Sequence, residues 1–140
     1  MATFVKFNKF LLQLGQEKYD FTNDVLKFAL TNTAPTPATD TVWSTDVFPA
    51  PAAANGYTAG GHTATKTWTE SGGVATLGCT TDVVLTATAG GIGPFRYVIL
   101  YDDSAPSKEL IGYWDYGASV TVAVGETFTI DVTDSLLTIT

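Results

Sequence analysis

The sequence predicts an all-β fold, an antiparallel two-sheet, jelly-roll-like sandwich of about 8–9 strands with a short N-terminal amphipathic helix. Three observations carry that expectation. Short segments with a period of two recur from Asp24 to the C-terminus, and Gly-rich or Pro-containing breakers separate them at regular intervals. Threonine, a β-branched residue suited to pleated surfaces, fills about two dozen of the 140 positions. No helical pattern is interleaved between the later strands, which argues against a parallel α/β sheet. A closed barrel is the alternative, because the pattern does not show whether the sheet edges are sealed.

The elements read in order as follows. Phe4, Phe7, Leu11 and Leu14 recur at spacings of three and four, with Phe10 and Leu12 widening the apolar stripe and Gly15 ending it. This predicts an amphipathic helix in an N-terminal arm over residues 1–20, packed on its own core or docked on a partner subunit. DVLKFALTN, Asp24 to Asn32, alternates as a strand. Residues 33–55 hold Pro35, Pro37, Pro49 and Pro51 and read as a long Pro/Ala/Thr loop, in which Trp43 and Phe48 pin the segment to the core or to a neighbour. Thr63, Thr65, Thr67 and Thr69 then line one side of a strand, Ser71-Gly72-Gly73 turn the chain into VATLGCT, and Asp82 opens DVVLTATA. PFRYVILYDD is the most apolar segment and predicts a strand buried on both faces. KELIGYWDYG, SVTVAV, TFTIDV and SLLTIT complete the set, and residues 1–140 form one domain.

Composition removes several function classes. Net charge is −7 and the pI is near 4.3, so a phosphate backbone meets repulsion and few cations are available to release counterions. Neither nucleic acid nor an anionic membrane surface is an expected partner, and no apolar run approaches the roughly 18 residues of a membrane helix. The apolar patch Phe10 to Leu12 is too short for a signal peptide, Cys79 is the single cysteine, and no Asn-x-Ser/Thr acceptor is present. Synthesis in a reducing cytoplasm is expected.

No catalytic residue, metal site or cofactor is expected. His62 is the sole histidine, which excludes a multi-histidine metal site within one chain, and the Gly-x-Ser-x-Gly elbow of many serine hydrolases is missing. Cys79 lacks CxxC spacing and cationic sequence neighbours, and reads as a buried thiol. Asp102, Asp103, Glu109 and Asp115 are the carboxylates nearest aromatic residues, formally a glycosidase pair or a Ca²⁺ cluster, but they fall at strand ends and turns, where Asp is a common capping residue. GGIGPF lacks both GxGxxG spacing and a following helix. Arg96, the only arginine, is expected to pair with a carboxylate or to present its guanidinium at an interface. Trp68, Tyr113, Trp114 and Tyr116 are candidates for a sugar-stacking platform, although alternation sends Tyr113 and Trp114 to opposite faces.

NGYTAGG at Asn55 to Gly61, GGIGPFRYVILYDD at Gly90 to Asp103 and LIGYWDYG at Leu110 to Gly117, together with FNKF and DVLKFALTNTAP, resemble a family of small virion structural proteins of tailed bacteriophages. The family is similar to the jelly-roll head decoration, or cement, proteins. The resemblance implies a non-enzymatic protein on the virion surface, made in the host cytoplasm, that binds the outside of the assembled head and clamps neighbouring major capsid subunits. It also implies self-association as a dimer or trimer. The expected partner interface comprises Phe4, Phe7 and Phe10 of the arm, Trp43 and Phe48 of the loop, and Arg96. Two other roles compete with this one: a tail or baseplate adaptor or fibre-tip module, and a carbohydrate-binding module.

Overall fold

The computed structural model describes residues 2–132 and 135–140; Met1 of the expected arm, with Thr133 and Asp134, lies outside them. Within the described residues the chain forms β1 (Phe4–Lys6), α1 (Phe10–Gly15), β2 (Leu26–Thr31), β3 (His62–Thr63), β4 (Lys66–Ser71), β5 (Val74–Cys79), β6 (Val83–Thr86), β7 (Ile92–Asp102), β8 (Leu110–Val122), β9 (Thr127–Ile130) and β10 (Ser135–Ile139). All pairings are antiparallel. The strands form a five-stranded sheet in the order β1-β8-β7-β2-β3, a three-stranded sheet β10-β5-β4 and a two-stranded sheet β6-β9. The fold is mostly β, and its several antiparallel sheets are consistent with an all-β sandwich.

Alternation along β2 and β7 sorts side chains to two apolar layers. Leu26, Phe28 and Leu30 join Val98 and Leu100 on one face, where Leu77 of β5 and Leu85 and Ile130 of the β6-β9 pair close over them. Each such fully buried side chain contributes roughly 1.5–3 kcal/mol relative to exposure. Ala29, Tyr97, Ile99 and Tyr101 point the other way and meet Phe7, Trp43, Phe48 and Leu110. A strand covered on both faces cannot show a polar side, which is why PFRYVILYDD reads as continuously apolar.

The cover over that second face is the Pro-rich segment of residues 33–55. Its backbone is stitched to the body: Trp43 N–H donates to Lys108 O (2.8 Å), Leu110 N–H to Thr41 O (3.0 Å) and Asn8 N–H to Pro37 O (3.0 Å). The buried Thr31 hydroxyl donates to Pro49 O at 2.9 Å. Trp43 stacks on Tyr101 with ring centroids 4.5 Å apart and planes inclined by 6°. Of the two roles open to Trp43 and Phe48, the structure shows the intramolecular one.

The N-terminal expectation needs a correction. Phe4, Val5 and Lys6 are extended and pair with Trp114, Tyr113 and Gly112, so the helix begins only at Phe10 and has six residues. Tertiary pairing overrides the local spacing here, because Gly112 leaves the space that the Phe4 ring occupies. A second glycine is equally constrained: Gly61 has φ +97°, and a Cβ there would collide with the Phe28 carbonyl where β3 meets β2.

Candidate functional site

The end of β8 beyond Trp114 departs from a regular ladder. Tyr97 pairs with Asp115, but the next partners are Phe95 and Val120, so one residue on β7 faces four on β8. Tyr116, Gly117, Ala118 and Ser119 form an exposed arch in mid-strand. Bulges of this kind re-aim side chains. The sequence places Asp115 two residues before Gly117, and the Asp115 carboxylate accepts the Gly117 N–H at 2.8 Å, with Gly117 at φ +91°.

Arg96, the single residue opposite the arch, fixes that carboxylate. Its Nε donates to Asp115 Oδ1 at 2.7 Å and its Nη2 to Oδ2 at 2.9 Å, a bidentate fork. The mutual hydrogen bonding raises the Arg96 pKa and holds the Asp115 carboxyl below the usual range. The guanidinium also lies over the Tyr97 ring, 5.3 Å from its centroid. Both partners keep 38% of their side-chain surface in solvent, so the pair orders the arch more than it stabilises the fold.

On the opposite face of β8, Trp114 and Tyr116 join Phe128 of β9 around a cleft of about 140 Å³, which the buried Val98 and Ile130 and the exposed Thr129 and Asp131 also line. Tyr116 is 56% exposed and meets the Phe128 ring at 5.5 Å in an edge arrangement. Trp114 is braced by Phe4 (4.9 Å) and Phe28 (5.8 Å). The cleft therefore has fixed aromatic walls, and Tyr116 supplies its exposed wall.

The expected interface residues are placed differently. Phe7, Phe10 and Phe48 are fully buried and Trp43 nearly so, each within this chain's own apolar layers; Phe4 is partly buried against Trp114. As free docking groups Phe7, Phe10, Trp43 and Phe48 are corrected, since burial leaves them little surface to offer. Arg96 keeps a partly exposed side chain, engaged with Asp115. On α1 the exposed large apolar residues are Leu11 (48%) and Leu12 (55%). Of the four platform aromatics, Trp68 lies on β4 against the edge of Phe21, and Tyr113 faces Phe7 on the other side of the sheet. Trp114 and Tyr116 are the two brought together.

The carboxylates near the 103–109 turn are committed to structure. Asp102 is wholly buried, and its Oδ1 accepts the N–H groups of Ser104 and Ala105, both at 2.9 Å. Its Oδ2 makes no well-formed hydrogen bond among the described residues, although the Asp24 carboxyl is close enough to act on it. Burial first, and Asp24 second, push the Asp102 pKa up to about 7. Asp103 sits between Lys27 (2.9 Å) and Lys108, which hold its carboxyl below the usual range against the opposing effect of burial. Glu109, also buried, accepts Ser107 N–H at 3.1 Å. Among the described residues no group of three or more His, Cys, Asp or Glu side chains is placed to hold a metal ion.

His62 accepts a long hydrogen bond from Thr58 N–H (3.4 Å) and rests by Tyr57, with its pKa lowered by burial. Burial, with a smaller contribution from Asp82, pushes the Cys79 thiol up to about 11, so it carries almost no thiolate at neutral pH. Among the described residues no helix is long and apolar enough to cross a membrane. Comparison with protein-family models, curated proteins and solved structures finds no match. Sequence reasoning missed the arch, the role of Phe128 and that of Asp131; the one local signal was Asp115-Tyr116-Gly117, a carboxylate poised over a glycine turn.

Proposed function

We propose that this chain is a non-enzymatic, jelly-roll-like decoration protein of a phage head, which binds the outer surface of the assembled shell and clamps neighbouring major capsid subunits. The observation that carries the reading is the arch of Tyr116 to Ser119, a braced and exposed segment raised from the largest sheet. It joins the sequence resemblance of the Gly90–Asp103 and Leu110–Gly117 strings, which build the two strands bearing it.

Rigid docking surfaces lose little entropy on binding. Here the Asp115 fork fixes the arch, and the Thr-rich strands carry few long flexible side chains. A protein with these properties that binds only the assembled lattice stabilises it by mass action. The acidic surface suits assembly in the presence of DNA, to which it does not adhere.

Recombinant protein added to expanded, undecorated heads tests the reading. The expected result is saturable binding and a rise in the temperature at which heads open. Saturation without any gain in heat resistance contradicts a cement role. Labelled-antibody microscopy of virions separates head from tail, and signal confined to the tail moves the assignment to an adaptor or fibre-tip module.

A further inference from the structure

The cleft between β8 and β9 has a chemistry narrower than that of a general apolar surface. Three aromatic side chains line it, two from β8 and one from β9, and the exposed residues Thr129 and Asp131 complete that part of the lining. Its volume of about 140 Å³ is well below the roughly 300–1,000 Å³ of a site that takes a whole drug-sized ligand. It suits one side chain or one small ring.

Two small amphipathic groups fit apolar walls with a polar mouth. A sugar ring needs several directional hydrogen bonds around its periphery, whereas the exposed polar side chains lining this cleft are few. A lysine side chain needs an apolar channel for its four-carbon stem, ring faces or edges beside its ammonium, and one carboxylate at the end. Trp114, Tyr116 and Phe128 provide the channel and Asp131 the carboxylate. Asp131 is exposed and makes no ion pair among the described residues, and the chain as a whole carries −7, so the field at the mouth favours a cation. The walls are held open without a ligand, because Trp114 is clamped between Phe4 and Phe28 and the Tyr116 backbone belongs to the braced arch.

We infer that this cleft receives a lysine side chain presented by the protein partner, with its stem between the aromatic rings and its ammonium on Asp131. The inference rests on the decoration reading for the identity of that partner, a capsid subunit. The cleft chemistry can be measured without it.

The test titrates the isotope-labelled full chain with n-butylammonium chloride as the lysine probe, n-butanol as its neutral counterpart and methyl glucoside as the sugar probe. The ammonium is expected to shift the Trp114 indole and Tyr116 ring resonances saturably and to bind about tenfold more tightly than butanol. Asp131→Asn and Tyr116→Ala, both at exposed positions that leave the core intact, are each expected to weaken that binding several-fold. Equal or tighter binding of butanol or methyl glucoside, or no saturable shift with the ammonium, overturns the inference. The same two variants are then added to undecorated heads, where weaker binding than wild type is expected. Wild-type and variant proteins binding heads equally well overturns the lysine contact and leaves the decoration reading standing. Ammonium binding by a protein that fails to bind heads removes the decoration reading and retains the cleft chemistry.

Discussion

At the 103–109 end of the β7-β8 hairpin, Asp102 and Glu109 cap turn amides, Asp103 joins two lysines, and Tyr101 stacks under Trp43 while its hydroxyl donates to Gly60 O at 2.5 Å. At the other end the same two strands lose register, raise the Tyr116–Ser119 arch into solvent, and leave Tyr116 more than half exposed over a cleft. Most polar groups of the first end are engaged internally, and they work as a staple in the fold. The second end holds the half-exposed Arg96–Asp115 pair and presents the exposed Tyr116 ring. Of the four carboxylates near aromatics, Asp102, Asp103 and Glu109 serve the closed end and Asp115 anchors the arch at the open one.

Substitutions at the two ends should separate them. The largest effect is expected for Tyr101→Ala, which opens a cavity under Trp43 and costs roughly 3–5 kcal/mol, against about 0.5 kcal/mol or less for Tyr116→Ala, both read from urea unfolding midpoints. Similar costs at both positions would dissolve the contrast. Next comes Asp102→Ala, which strands the Ser104 and Ala105 N–H groups and is expected to cost about 1–3 kcal/mol by the same measurement.

The pH dependence sharpens the comparison within the closed end. The folded pKa of Asp102, about 7, lies above its ordinary value of 3.8, so its contribution is fully present below about pH 4 and is lost as pH rises through 7. The protein should therefore gain stability from this group between pH 8 and pH 5, and Asp102→Asn should flatten that part of the unfolding profile. Asp103 and Asp115 act in the opposite sense: their carboxyls are lowered, so their contribution holds above the ordinary carboxylate range and fades as acid protonates them. A wild-type profile that rises from pH 5 to pH 8 would contradict the Asp102 assignment. The smallest stability effect is expected for Arg96→Ala, whose unfolding midpoint should stay near wild type while hydrogen exchange at the Gly117 amide accelerates, because Asp115 is no longer held beneath it.

Much of the β framework was legible because its signals are local. DVLKFALTN alternates, Ser71-Gly72-Gly73 joins two strands that do pair, and PFRYVILYDD is buried on both faces. The arm was legible only in part. Phe4, Phe7 and Phe10 have helical spacing, yet Phe4 serves a strand, Phe7 one apolar layer and Phe10 the other, a division that depends on β8 lying alongside. The site was least legible. KELIGYWDYG and SVTVAV read as two strands because Gly117 and Ala118 look like a break, whereas the chain keeps one strand from Leu110 to Val122 and lifts the break out as an arch. Its cleft needs Phe128 from another strand, and Asp131 beyond it, and no periodicity within β8 points to either.

A cryo-EM map of the native particle that carries this chain tests the central claim most directly. The account predicts density for the β body on the outer surface of the head, spanning a boundary between major capsid subunits, with the Tyr116–Ser119 arch and its cleft turned toward the shell. Density on the tail alone, or on the head with the arch facing solvent, would contradict it.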